Sequence, residues 1–416
     1  MYLNQPRWKI GSSCGVSGTG FLFSSKVLEE CGGWNFHLLT EDIEFTADCI
    51  VNNRKQILSF IPTDFSKVEM IYDNRTDDEV NVRYYYNHLS DNAKVAYTII
   101  VPEIYKHTES IEIPMITDSE FTALNYAVSY DNPDLICYSA QCKIRTEGNK
   151  CYFEPTYTHS HQECNDLSSQ LNSQVDKVVN EASKLSSDYE KEKYVHDYIC
   201  ENCKYVLTDD LKSTAYDALV GGEAVCEGYA RATQLLLNKL GVENFLVIGD
   251  AKNDDGKIEP HMWNIVKING NNYHLDVTWD DNDQTDSPDI KTHLYFNVTT
   301  KQISANHFNI KPENTDCTAT EFNYARAEGL LFGNYGKTIK PAIEKEITDN
   351  FKNGKSYVEI FAVSEQSYRE IYKKLVDSDG ISEIAIELRN KNGNMKFTQY
   401  QTFENKEMYY MQFVLS

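Results

Sequence analysis

The chain has 416 residues and a formal net charge of -23. That length exceeds one ordinary core and implies two to four domains, and the acidic balance argues against nucleic acid or an anionic membrane held through a bulk field. With 28 Tyr against 10 Pro it is no disordered tail. No run nears the roughly eighteen apolar residues of a membrane span, and MYLNQPRWKIGSS lacks the basic-then-apolar pattern of an export signal.

Residues 1 to 62 hold the Gly-rich GVSGTGFLFSSKVLEECGGW and then HLLTEDIEFTADCIVNNRK. Residues 63 to 165 form the next region, with the aromatic run VRYYYNHLS. Ser90 is placed to cap a helix over DNAKVAYTII, with Pro102 limiting it. LICYSA reads as a strand, and KIRTEGNKCYFEPTY as a hairpin around Glu147-Gly148-Asn149. His159, His161 and Cys164 fall on a loop. Three such residues are a weak metal signal, and ordinary loop polarity is the expectation.

From 166 to 316 the pattern is first helical, in QLNSQVDKVVNEASKL and DYEKEKYVHDYICENCKY. Cys200 and Cys203 have redox spacing, but they sit near a helix C-terminus, where a reactive thiol is not favoured, and no second pair completes a zinc site. GGEAVCEGYARATQLLLNKLG then sets Tyr229, Thr233, Leu236, Leu237 and Leu240 at helical spacing, with Gly241 as the stop. NFLVIG, HMWNIVKI and YHLDVTW read as strands. Asp280, Asp281, Asp283, Asp286 and Asp289 make an acidic loop without EF-hand spacing, so a solvated loop is expected rather than a calcium site. Residues 317 to 416 read as a small α+β domain. SEQSYREIYKKLVDSDG is its capped helix, and EIAIEL, KFTQYQTF and MYYMQFVL are its strands. Eleven cysteines leave at least one unpaired and do not resemble a small disulfide scaffold.

The chemistry concentrates around Cys226, one step ahead of the 226–240 helical pattern. Asn269-Gly270 between two alternating runs is a strong hairpin signal. A two-residue loop sets Ile268 opposite Asn271 and Trp263 opposite Asp276. His261 then projects from the same face as Asp276, one diagonal step away. Helix-start N–H groups and a neighbouring imidazolium favour a thiolate, bringing thiol pKa values to roughly 3.5–7.5. A carboxylate fixes the imidazole tautomer, and the same N–H groups can serve an oxyanion. Each residue alone has a plainer reading: a small buried thiol, a satisfied strand histidine, a capping aspartate.

AVCEGYARA, HMWNIVKI and YHLDVTWDD, in that order, resemble the three core motifs of the transglutaminase-like superfamily. YEKEKYVHDYI, TAYDALVGGEAVC and YFNVTT match around them, and the likeness reaches back to HLSDNAKVAYTII, near residue 80. The resemblance implies an α+β, papain-like core, in which a helix bearing the cysteine packs on an antiparallel sheet. It implies Cys226 as nucleophile, His261 as general base and acid, and Asp276 as the orienting carboxylate. His274 shares the face of Asp276 but is not the family's catalytic histidine. Trp263 and Trp279 flank the two strands as possible walls of the site, or as core aromatics.

Residues 7 to 54 resemble a different family. GTG, the helix SSKVLEE, GGW and Thr40-Glu41-Asp42 stand in the order found in the acceptor half of family two inverting glycosyltransferases, of A-type fold. That likeness implies Asp42 as the base for an acceptor hydroxyl, with Glu41 beside it. The upstream half that would hold a nucleotide diphosphate through a metal is not in the chain, so the motif is expected to be vestigial. A truncated or misjoined gene product is the preferred origin, which would also account for the missing export signal, since bacterial relatives of the second part are usually exported.

The reading is therefore a transglutaminase-like thiol enzyme acting on peptide or glutamine-type amides, hydrolytic rather than cross-linking. N- and C-terminal α+β domains flank it, and an incomplete glycosyltransferase segment precedes it. No cofactor and no metal are expected, and the partner is a protein or peptide substrate. The rival readings are a glycosyltransferase-derived fusion with vestigial or no sugar transfer, and a non-catalytic binding module on the same fold.

Overall fold

The computed structural model describes residues 14–15, 22–23, 83–208, 212–253, 256–281 and 291–416. The chain divides into two compact units, Met1–Tyr72 and Asp73–Ser416. In the first, β1 (Cys14–Gly15) pairs antiparallel with β2 (Leu22–Phe23). Glu41 and Asp42 lie outside the described residues.

The second unit opens with a short α1 (Tyr84–Asn87) and with α2 (Asp91–Tyr105). Ser90 Oγ accepts from the Ala93 N–H at 3.3 Å, the cap read from the sequence. Pro102 does not end α2, which runs three residues further. Tyr97, Ile100, Val101 and Ile104 are buried on one face, and that burial outweighs the one ladder bond a proline forfeits. β3 (Ile111–Ile113) and α3 (Asp118–Tyr130) follow, then the hairpin of β4 (Tyr138–Glu147) and β5 (Lys150–Tyr157). Gly148 and Asn149 form its loop, Glu147 stands opposite Lys150, and the sheet order is β3-β5-β4. LICYSA is strand only from Tyr138 onward; Ile136 and Cys137 lie in a turn.

α4 (His161–Ala182) begins earlier than its apolar spacing shows, because Ser160 and Glu163 form a capping box. His161 and Cys164 are therefore helical rather than on a loop, and Cys164 is bonded to Cys137 in a disulfide. α5 (Asp188–Asn202) likewise starts from a capping box, of Ser187 and Glu190. β6 (Lys204–Tyr205) pairs parallel with β7 (Glu223–Ala224), and between them lies a π-helical turn, Asp217–Gly221. These lead into α6 (Cys226–Lys239). Gly228 in its first turn leaves room for the passing chain: a Cβ there would lie 3.1 Å from the Lys212 carbonyl oxygen and 2.7 Å from Ala224 Cβ.

The sheet that receives α6 is built from β8 (Asn244–Lys252), β9 (Ile258–Ile268), β10 (Asn271–Leu275) and a later strand. Asn269 and Gly270 have φ of 49° and 78°, the pair of positive angles a two-residue type I′ loop requires, and Ile268 stands opposite Asn271 as expected. β10 stops at Leu275. The predicted strand end Val277-Thr278-Trp279 is instead α7 (Val277–Asp280), because the Asp276 side chain accepts from the Trp279 N–H and starts a turn. α8 (Thr300–Ile303) and β11 (His307–Lys311) complete the sheet, in the order β10-β9-β8-β11. The aromatic run before α2 docks on it: Tyr84 stacks on Phe245 at 3.9 Å, and the Tyr85 hydroxyl donates to the Leu246 carbonyl at 2.9 Å.

The last hundred residues contain α9 (Tyr324–Ala327), β12 (Leu331–Phe332), α10 (Ile339–Lys352), β13 (Tyr357–Ala362), α11 (Glu365–Tyr372) with a π-helical turn after it, α12 (Gly380–Lys391), β14 (Tyr400–Asn405) and β15 (Tyr410–Leu415). The sheet order is β12-β13-β15-β14. EIAIEL is helical, not a strand. Its buried residues Ile381, Ile384, Ala385 and Leu388 recur at helical spacing, and Ile386, which made the sequence look alternating, is 45% exposed. KFTQYQTF becomes strand only at Tyr400. One continuous apolar core runs from Ile136 to Leu415, and a second from Leu89 to Phe153. No described helix is long and apolar enough to cross a membrane.

Candidate active site

Cys226 is the first residue of α6, and its N-cap, Val225, offers no side-chain acceptor to the first-turn N–H groups. Nothing on the N-cap side chain competes with a ligand for those donors. The thiol is free and partly exposed. On the facing sheet, His261 stands opposite Gly249. The glycine is needed there: a Cβ would lie 2.7 Å from the Phe308 carbonyl oxygen and 2.9 Å from the Trp263 ring.

His261 Nε2 is 2.8 Å from Asp276 Oδ2, on the shared face that the hairpin register favours, and the Cys226 thiol is near enough to act on the charge of the same ring. Burial alone would discharge His261, but the Asp276 carboxylate and the thiol outweigh it and lift the imidazole to about 10. Asp276 is wholly buried. Burial favours its neutral form, yet the His261 charge and hydrogen bond hold it ionised, well below the usual carboxylate range. The structure thus brings Cys226, His261 and Asp276 together.

Sequence reading did not single out His307. Its Nε2 lies 3.0 Å from the same Asp276 Oδ2, and its ring is 5.3 Å from that of His261. Nothing in the spacing ties residue 307 to residue 276, since β11 joins the sheet on β8, at the far edge from β10. His274, the other histidine near Asp276, is taken up in structure. Trp263 Nε1 donates to its Nδ1 at 3.1 Å, its Nε2 meets Thr300 Oγ1 at 3.0 Å, and burial drives it down to about 3. Trp263 is 1% exposed and stacks behind His261 at 5.7 Å, so it is a core aromatic. Trp279 is half-buried and packs on both His261 and His307, at 5.9 and 4.7 Å.

Other candidates resolve differently. Cys200 and Cys203 are buried and not joined in a disulfide, and burial pushes them up to about 11 and about 12. Asp280 and Asp281 are not solvated. Asp280 takes Thr292 Oγ1 at 2.8 Å, the Tyr295 N–H at 2.9 Å and His196 at 3.2 Å, while Asp281 takes the Tyr229 hydroxyl and Lys291. Asp283, Asp286 and Asp289 lie outside the described residues. Two His-Asp-His trios among the described residues are compact enough to be weighed as cation sites: His261, Asp276, His307 and His196, Asp197, His293. In each, one carboxylate oxygen already meets both imidazoles, at 2.8 and 3.0 Å, so hydrogen bonds account for the spacing.

Residues 176–277 match the transglutaminase-like superfamily. Among solved structures, the chain is similar to a TGase, with 18% identity over 41% of this chain and 51% of that one and a TM-score of 0.24. It is also similar to a "putative cysteine protease" from Cytophaga hutchinsonii, at 15% identity over 33% and 61% of the two chains, with a TM-score of 0.21. A third is a "putative protease" from Parabacteroides distasonis, at 11% over 32% and 35%, with a TM-score of 0.21. The chain covers less than two thirds of each. No curated protein matches it.

Proposed function

We propose that the chain is a thiol enzyme acting on peptide or glutamine-type amide bonds through an acyl-thioester. The observation that carries this reading is the Asp276–His261 bond, with the Cys226 thiol against the same imidazole at an uncapped helix start. Thiol and imidazole exchange a proton to give a thiolate–imidazolium pair. The thiolate adds to the amide carbonyl, and the α6 N–H groups face the developing oxyanion. As the C–N bond breaks, His261 gives its proton to the leaving amine or ammonia, and Cys226 keeps the acyl group. His261, now neutral, takes a proton from the incoming water or amine, whose oxygen or nitrogen displaces the thiolate.

We assign the second step to water. The acyl acceptor is decided by assaying both outcomes on one preparation: release of fluorescent peptides from labelled casein, and incorporation of dansylcadaverine into dimethylcasein. Proteolysis lost in Cys226→Ala and in His261→Ala is the expected result, whereas incorporation without proteolysis would make the enzyme a cross-linker. Binding of casein that survives Cys226→Ala, with neither reaction in the parent protein, would sink the enzymatic reading in favour of a binding module.

A further inference from the structure

We propose that His307 is a positioning residue for this reaction: its Nε2–H pins the Asp276 carboxylate in the orientation that His261 needs. The proposal rests on the reading of Cys226, His261 and Asp276 given above. An aspartate carboxylate turns easily about its terminal torsion, and a buried one with a free oxygen is driven to take up a proton. Asp276 avoids both through three donors from three separate elements. His261 on β9 and His307 on β11 share Oδ2, at 2.8 and 3.0 Å, and the Trp279 N–H of α7 takes Oδ1 at 3.2 Å. With Oδ2 held between two imidazoles, the carboxylate stays ionised and aimed at His261.

His307 is itself fully buried and held from the other side. Its Nδ1 lies 2.7 Å from Asn306 Oδ1, and Asn306 Nδ2 donates to the Tyr295 hydroxyl at 2.6 Å. The titratable groups around this corner are His261, His274, Asp276 and Tyr295, with Cys226, Tyr205 and Glu259 beyond them. Burial and the charge on His261 lower the hold of His307 on a proton while the bond to Asp276 raises it, and against an ionised carboxylate its Nε2 is the donor. It touches no reacting atom; it acts through Asp276.

The test compares two amides that each imitate one ring nitrogen. In His307→Gln the terminal N–H group falls near Nε2 and can still reach Asp276. In His307→Asn it falls near Nδ1, keeping the Asn306 side and losing Asp276. The readout is the iodoacetamide labelling rate of Cys226 against pH, followed by peptide mass spectrometry, with folding checked by circular dichroism. The glutamine variant is expected to keep the parent profile. The asparagine variant should move the midpoint to higher pH by about one unit, or about tenfold slower labelling on the acid side. Identical profiles for the two variants would overturn the proposal. A second measurement needs no substitution: with ¹⁵N-histidine in the parent protein, Nε2 of His307 is expected to carry a proton from pH 5 to 8, and a ring protonated at Nδ1 alone would overturn the proposal. His261→Ala separates the two claims. If that variant leaves the Cys226 profile unmoved, the reading of the site itself fails, whatever His307 does.

Discussion

At the scale of single residues, the consequence of the site is a displaced titration. A free histidine loses its proton near 6.5, whereas His261 holds it to about 10 against Asp276. Leaving-group protonation therefore survives well into alkaline pH. The alkaline limb of kcat should lie near pH 10, and Asp276→Asn should draw it toward 6.5 while reducing kcat by about 10³-fold or more, as expected when the tautomer is no longer fixed. A parent limb near 6.5 would show that the two side chains are not coupled. The stability sign agrees: the raised histidine contributes fully below pH 6.5 and loses its contribution as pH rises through about 10, while the lowered aspartate contributes above its unfolded value and loses it in acid.

At the scale of elements, the hairpin joining β9 and β10 sets which side chains share a face. Gly270 sits at φ 78°, a conformation that costs an L side chain about 1–2 kcal/mol. Gly270→Val should lower stability in urea by about that amount, and relief of the strain by a one-residue slip would carry Asp276 away from His261. Loss of Cys226 labelling at acid pH out of proportion to the lost stability is the expected signature; unchanged labelling would mean that the sheet, not the loop, holds the register. This is also where the sequence was most legible. Asn269-Gly270, the alternation on either side and the Ser90 cap each express a local rule, and each holds in the structure. The failures were local too. Pro102, the helical Val277-Thr278-Trp279 and the helical EIAIEL all lost their local reading to a cap or to tertiary burial.

At the scale of the whole molecule, the last hundred residues are not an appendage. Apolar residues up to Leu415 join the core that holds α6. His293, before β11, donates through its backbone and its ring to the buried Glu359 of β13, at 2.9 and 2.6 Å, and the Tyr410 hydroxyl of β15 meets the same carboxylate at 2.8 Å. A chain stopped after residue 316 would leave His293 without that carboxylate and would bare the core. It is expected to lose cooperative thermal unfolding and acid-side labelling of Cys226. Retention of both would show that residues 317–416 fold apart.

What the sequence determined by itself was whatever depends on neighbours along the chain. That includes the thiol at a helix start, the two-residue hairpin, and the period-two alternation that sets His261 and Asp276 on one face. What only the tertiary structure decided was which surfaces meet. The seating of β11 beside β8 brings His307 to Asp276, the Cys137–Cys164 bond crosses from turn to helix, and Glu359 closes over His293. Spacing along a chain specifies direction within one element or one tight turn. It carries no information about partners separated by loops of free length, and those partners are chosen by burial and by the need to satisfy every buried charge.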